Sequence, residues 1–185
     1  MKYAIRYFSI LLFIACSFGS FAHAQKNCER KDFTKDLPNF YQVNENLYRS
    51  GQPTEAGVKQ LKGKVKTIVY LRGADEKAEI ERKWAKSVDI DLKTFPLNNW
   101  FRPKDAQIKD ILAFIENPAN QPVFVHCQRG ADRTGTVIAV YRIAHDGWTA
   151  QKANEEAENF CFGWWQVWMK DYIKDYYRDF KKQKI

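Results

Sequence analysis

"VFVHCQRGADRTGTVIAV", residues 123–140, is the stretch on which the reading of the fold turns. Val123 to His126 is short, apolar and β-branched, and it has the length of a buried strand. Downstream, Val137, Val140, Tyr141 and Ala144 recur at helical spacing until Gly147, which predicts a helix over 134–145. A strand that passes into a helix through a short glycine-bearing loop is the building unit of an α/β sheet. Ligands bind to such sheets beyond the carboxyl ends of the strands. Here that place holds Cys127, Gln128, Arg129, Gly130, Ala131, Asp132, Arg133 and Thr134.

These residue types suit a bound oxyanion. A helix amino terminus carries unpaired N–H groups and the positive end of the helix dipole. Gly130 and Gly135 permit tight backbone paths, so successive amides can converge on one anion. Arg133 adds a planar fork able to grip two oxygens at once. The same surroundings favour the ionised form of Cys127, since a free thiol titrates near ~8.5 and cations with helix termini lower that. The Thr134 hydroxyl can donate to the sulfur. His126 has two readings, as the group that orients the cysteine backbone or as a satisfied strand histidine. A thiolate beneath an anion cradle is a nucleophile aimed at phosphorus.

Outward from the loop, strands alternate with helices. A short strand over 46–49 leads into "SGQPT", a turn and cap cluster, with a helix from Thr54 to Leu61. Lys66 to Leu71 reads as a buried strand, and 76–87 as a charged helix anchored by Ile80 and Trp84. Asp91 to Leu97 is a further strand. Pro103 falls in the first turn of a helix marked by Ile108, Ile111, Leu112 and Ile115, which stops at Asn117-Pro118. Two last helices fit 149–159 and 164–180, the second with Trp165, Trp168, Met169, Tyr172 and Tyr176 as a core stripe. The pattern predicts an α/β domain, a central mostly parallel sheet flanked by helices.

The amino terminus is expected to be a targeting segment. Lys2 and Arg6 precede an apolar run from Tyr7 to Ala15, and Ala22-His23-Ala24 has the small residues of a cleavage site. Residues 1–24 are read as a cleaved secretory signal of a periplasmic or secreted protein. The run falls short of the roughly 20 residues of a membrane span. A lipid anchor at Cys16 is the rival reading. Residues 25–45 are expected to form an irregular arm. The remaining 161 of 185 residues suit one domain, and a monomer is expected. Removal of Lys2 and Arg6 leaves 28 basic against 22 acidic residues. That surplus attracts anions of any kind. No nucleic-acid motif accompanies it, and no Cys/His spacing matches a zinc site. In an oxidising compartment Cys28 and Cys161 are candidates for a disulfide.

His126-Cys127-Gln128-Arg129-Gly130-Ala131-Asp132-Arg133-Thr134 matches the H-C-x5-R-[ST] signature of cysteine-dependent phosphatases. The order of the flanking segments, "LYRSGQPT", "VKTIVYLRG" and "TFPLNN", resembles the dual-specificity branch over residues 46–160. The resemblance makes 46–185 a phosphatase domain. It implies that Cys127 attacks phosphorus, that Arg133 and the amides of 128–134 hold the phosphoryl oxygens, and that neither metal nor cofactor is needed. The branch usually has an aspartate acid just after the segment matched by Phe95-Pro96-Leu97, where this chain has Asn98 and Asn99. Asp132 comes first as a substitute, because C-x-x-G-x-D-R-T is similar to the myotubularin and Sac phosphoinositide phosphatases, and Asp105 second. Arg129, Arg72, Arg102 and Lys104 are expected near the mouth, which suits a substrate with several phosphates. Inositol polyphosphate is the first expectation, a phosphoprotein the second, and a non-catalytic phosphate-binding module the third.

Overall fold

A computed structural model describes residues 35–183. The chain runs β1 (Tyr41–Asn44), β2 (Leu47–Ser50), α1 (Glu55–Gln60), β3 (Thr67–Tyr70), α2 (Glu76–Lys86), β4 (Asp91–Thr94), α3 (Asp105–Glu116), β5 (Val123–His126), α4 (Asp132–Ala144), α5 (Ala150–Asn159) and α6 (Val167–Lys182), with a 3-10 turn at Pro118–Asn120. The sheet order is β1-β2-β5-β3-β4, with β1 antiparallel to β2 and every other pair parallel. The predicted mostly parallel sheet flanked by helices is the one observed.

Burial explains the order. All four residues of β3 and of β5 are buried, as strands covered by helices on both faces must be. One apolar layer packs Val69, Val125 and Leu71 against Ile111, Val137, Ile138 and Tyr172 of α3, α4 and α6. The other packs Ile68, Tyr70 and Phe124 against Val58, Ala78 and Ala85 of α1 and α2. α4 is buried from Thr134 through Ile143, so it is fixed against the sheet along nearly its whole length. That rigidity is passed to the loop at its amino end.

Several expectations need correction. Residues 41–44 of the supposed irregular arm form β1, because Tyr41, Gln42 and Asn44 pair with Arg49, Tyr48 and Leu47. The strand predicted to Leu97 ends at Thr94. Pro103 precedes the Lys104 cap of α3 and lies outside its first turn. α4 starts at Asp132, two residues earlier than predicted, and so takes Asp132 and Arg133 into its first turn. In α2 the buried positions are Ala78, Glu81 and Ala85, while Ile80 is exposed. The aromatic stripe divides: Met169 and Tyr172 are core, whereas Trp165 and Trp168 are 43% and 64% exposed. Cys161 is disulfide-bonded and Cys127 is free. Its expected partner Cys28, the segment 1–24 and Cys16 lie outside the described residues. Among the described residues no helix is long and apolar enough to cross a membrane.

Candidate active site

The loop after β5 is held from outside, carbonyl by carbonyl. The Cys127 carbonyl faces His126 Nδ1 at 3.1 Å. Gln52 N donates to the Gln128 carbonyl at 3.1 Å, and Asn39 Nδ2 to that of Arg129 at 3.2 Å. An Arg49 terminal nitrogen donates to the Gly130 carbonyl at 2.7 Å. Gly135 N donates to that of Ala131 at 2.7 Å. A trans peptide unit points its C=O and the following N–H in opposite directions. Five carbonyls anchored outward therefore turn the N–H groups of residues 128–132 inward, as a nest around an anion.

The path needs glycine at one position. Gly130 has φ +71°, and a Cβ there would lie 2.4 Å from Gly51 N. The closeness follows from the parallel register of β2 and β5, which sets Ser50 beside His126 and runs Gly51-Gln52 directly under the loop.

Within the cradle is a hollow of about 110 Å³ lined by Asn99, Cys127, Gln128, Arg129, Asp132 and Arg133. That space has room for a tetrahedral anion. Cys127 is 2% exposed at its floor. Arg133 Nε and Thr134 Oγ1 are buried without a hydrogen-bond partner. The Thr134 hydroxyl therefore does not donate to the sulfur in this state, contrary to expectation.

His126 does more than fill a strand. Its Nε2 meets Glu81 Oε1 at 2.7 Å, and both side chains are fully enclosed. Because Nδ1 faces a carbonyl, which only accepts, Nδ1 carries a hydrogen. The second proton lies on the ring with Glu81 ionised, or on Glu81 with the ring neutral. Either way the pair sums to no net charge. Gln52 Nε2 donates to the other Glu81 oxygen at 3.3 Å, and Arg72 donates to Gln52.

The predicted cations and acids separate. Arg129 lies at the hollow, where it donates to Asp132 Oδ2 at 2.5 Å and sits over the Trp165 ring at 5.4 Å. Asp132 Oδ1 accepts from Gly163 N at 2.8 Å, so both carboxylate oxygens are engaged. Arg72 turns to Gln52 and to Asp75, 3.7 Å away. Arg102 bonds Asp175 at 2.7 Å and lies over Tyr172 at 4.8 Å. Lys104 caps α3, and the exposed Asp105 in its first turn faces Tyr172, whose ionisation is opposed first by burial and then by that carboxylate. Neither Asp105 nor Lys104 lines the hollow. Among the described residues no three His, Cys, Asp or Glu side chains converge as metal ligands would.

Large exposed side chains adjoin the lining residues: Trp100 and Phe101 follow Asn99 in the chain, and Trp165, under Arg129, packs against Trp164. Gln166 Nε2 donates to the Asn99 carbonyl at 3.0 Å and joins the two segments. The sequence reading missed Asn39, Arg49, Gln52 and Glu81. The polar residues of 46–54 just ahead of a tight turn were the available signal for two of them.

A family model described as DSP-PTPase phosphatase fused to NAD+ kinase matches residues 22–174. The dual specificity protein phosphatase TpbA of Pseudomonas aeruginosa is 32% identical over 127 residues, 68% of this chain and 56% of its own length. The chain thus spans little more than half the length of that relative. Inositol diphosphatase DSP4 of Arabidopsis thaliana is 30% identical over 109 residues, 56% of this chain and 54% of its own length. The core catalytic domain of the PP-IP phosphatase SIW14 from S. cerevisiae has a TM-score of 0.69 at 26% identity, over 82% of this chain and 96% of that one.

Proposed function

This chain belongs to the DSP-PTPase phosphatase family, and from that premise we propose that it hydrolyses phosphate monoesters through a phosphocysteine at Cys127. The observation that carries the proposal is the loop itself: five carbonyls tied outward, amides turned inward, and a buried free thiol at the floor beside Arg133. The Cys127 thiolate attacks phosphorus, an S–P bond forms and the ester P–O bond breaks. Arg133 and the amides bear the charge on the phosphoryl oxygens throughout, with no reorganisation needed at the moment of reaction. The departing oxygen takes a proton from Asp132, which lines the same hollow. Water then attacks phosphorus and gives a proton to the Asp132 carboxylate, the S–P bond breaks, and phosphate leaves with the sulfur again a thiolate and Asp132 again protonated.

The favoured substrate class is inositol polyphosphate. The likeness to DSP4 and SIW14, named as an inositol diphosphatase and a PP-IP phosphatase, supports it. The ring and its other phosphates remain at the mouth, by Arg129. A second reading, phosphotyrosine in a phosphoprotein, is favoured by the exposed Trp100, Phe101, Trp164 and Trp165, and by the diversion of Arg72 and Arg102 to acidic or amide partners. The signal-like pattern of residues 1–24 supports an exported enzyme.

A substrate panel decides between the classes. Inositol hexakisphosphate, phosphotyrosine peptides and phosphoinositides are compared at matched low salt, with Cys127→Ser as control. The highest kcat/KM is expected on the inositol phosphate, with release abolished in Cys127→Ser. A higher kcat/KM on the peptides overturns the substrate assignment. Phosphate release that survives in Cys127→Ser overturns the mechanism.

A further inference from the structure

β2 buries an arginine under the phosphate loop. Arg49 is fully enclosed, its terminal nitrogen holds the Gly130 carbonyl, and its guanidinium lies 3.9 Å from the centre of the Phe160 ring. Its Nε and other terminal nitrogen have no hydrogen-bond partner, and no carboxylate accepts from it among the described residues. A guanidinium shut away from water in this way is costly unless an anion answers it. Burial lowers its pKa to about 10, opposed first by Glu156 and next by Cys127. Glu156 is already held by Arg142, at 2.8 Å. The Gly130 carbonyl that Arg49 holds belongs to the loop seating Cys127, and β2 sets Arg49 beside Val125, two residues before that cysteine, so the sulfur is the anion left over.

We propose that Arg49 is the buried counter-charge of the Cys127 thiolate, acting from beneath the loop while Arg133 serves the bound phosphate above it. The charges around the sulfur support this division of labour. From β5 and α2 comes the His126–Glu81 pair, which sums to zero, and at the loop the Arg129–Asp132 pair offsets likewise. Asn99 at the mouth is neutral. Arg142 of α4 repels Arg49 but is bound to Asp146 and Glu156. Two cations then remain, Arg133 and Arg49, for a site that brings two anions together. When a phosphate occupies Arg133, Arg49 is what keeps the sulfur ionised beside it. Arg49 is a positioning residue, and the inference rests on the reading of Cys127 as the nucleophile.

The test needs no turnover. Alkylation of Cys127 by iodoacetamide is followed by mass spectrometry across pH in the full chain, for the native protein, Arg49→Gln and Arg49→Lys. Gln keeps a donor for Gly130 without the charge, and Lys keeps the charge. Gln should raise the midpoint by about one pH unit, an approximately tenfold loss of thiolate below both midpoints, as removal of one nearby cation does. Lys should leave it within a few tenths. A Gln midpoint equal to the native one overturns the proposal, and so do Gln and Lys midpoints raised alike, which would assign the effect to packing. If the Gln variant fails to fold, a folded Lys variant decides alone: the native midpoint supports the proposal and a full unit's rise overturns it. Phosphate release by Cys127→Ser would sink the enzymatic reading without touching this shift.

Discussion

Asp132 and Asp105 frame the chemistry at the scale of single residues. Asp132 lines the hollow but gives both oxygens to N–H donors, while Asp105 stands on the exposed first turn of α3 facing Tyr172. Of the two, Asp132 alone lines the hollow, and the acid role proposed for it is the one to test. Asp132→Asn keeps the Oδ1 acceptor for Gly163 and removes the proton. It should lose roughly 10²-fold or more on alkyl phosphates and far less on p-nitrophenyl phosphate, whose leaving group needs little protonation. Asp105→Asn should change neither. Equal losses on both esters for Asp132→Asn would end its assignment as the acid. The motif residues, Cys127 to Thr134, were legible in sequence because their spacing is local. Arg49 and Glu81 were not, since a charged residue in a short strand or a charged helix reads as solvent-facing until the partner across the fold is known. Glu81 is buried with both oxygens met, one by His126 and the other by Gln52.

Among the elements, α2 ties stability to the site, because it brings Glu81 to His126. Its start depends on Asp75, whose side chain accepts from Ala78 N at 3.0 Å and from Tyr70 at 3.1 Å, with Arg72 close by. Slight burial pushes that carboxyl up, but the Ala78 amide, Tyr70 and Arg72 outweigh it and lower its pKa. A carboxylate with a lowered folded pKa stabilises above its unfolded pKa, and the gain fades as pH falls through the folded value. Asp75→Ala should therefore cost about 1 kcal/mol near neutral pH, as loss of an N-cap does, with the difference shrinking in acid. Thermal unfolding of both proteins from neutral pH down into the acid range checks this. A cost that stays constant into acid would contradict it. The alternation of strands and helices was legible because it depends on apolar period. β1 was not: Tyr41–Asn44 has one buried residue, Val43, and becomes a strand only by pairing with β2. Trp165 and Trp168 have helical spacing with Met169 and Tyr172, yet period alone does not say that the apolar face is narrower than the aromatic stripe.

For the whole molecule, the sheet positions one loop and everything else restrains it. β2 and the turn after it underlie the loop through Arg49, Gly51 and Gln52, the turn before β1 reaches it through Asn39, and α4 is locked behind it. A site preorganised from so many directions has little room to rearrange, which is what charge stabilisation at phosphorus requires. The claim common to all of this is that the sulfur of Cys127 becomes covalently phosphorylated during turnover. Quenching the native chain within its first turnovers on p-nitrophenyl phosphate and weighing its peptides tests that directly. The account predicts one added phosphoryl group on the peptide bearing Cys127 and none in Cys127→Ser; steady phosphate release with that peptide never modified would contradict it.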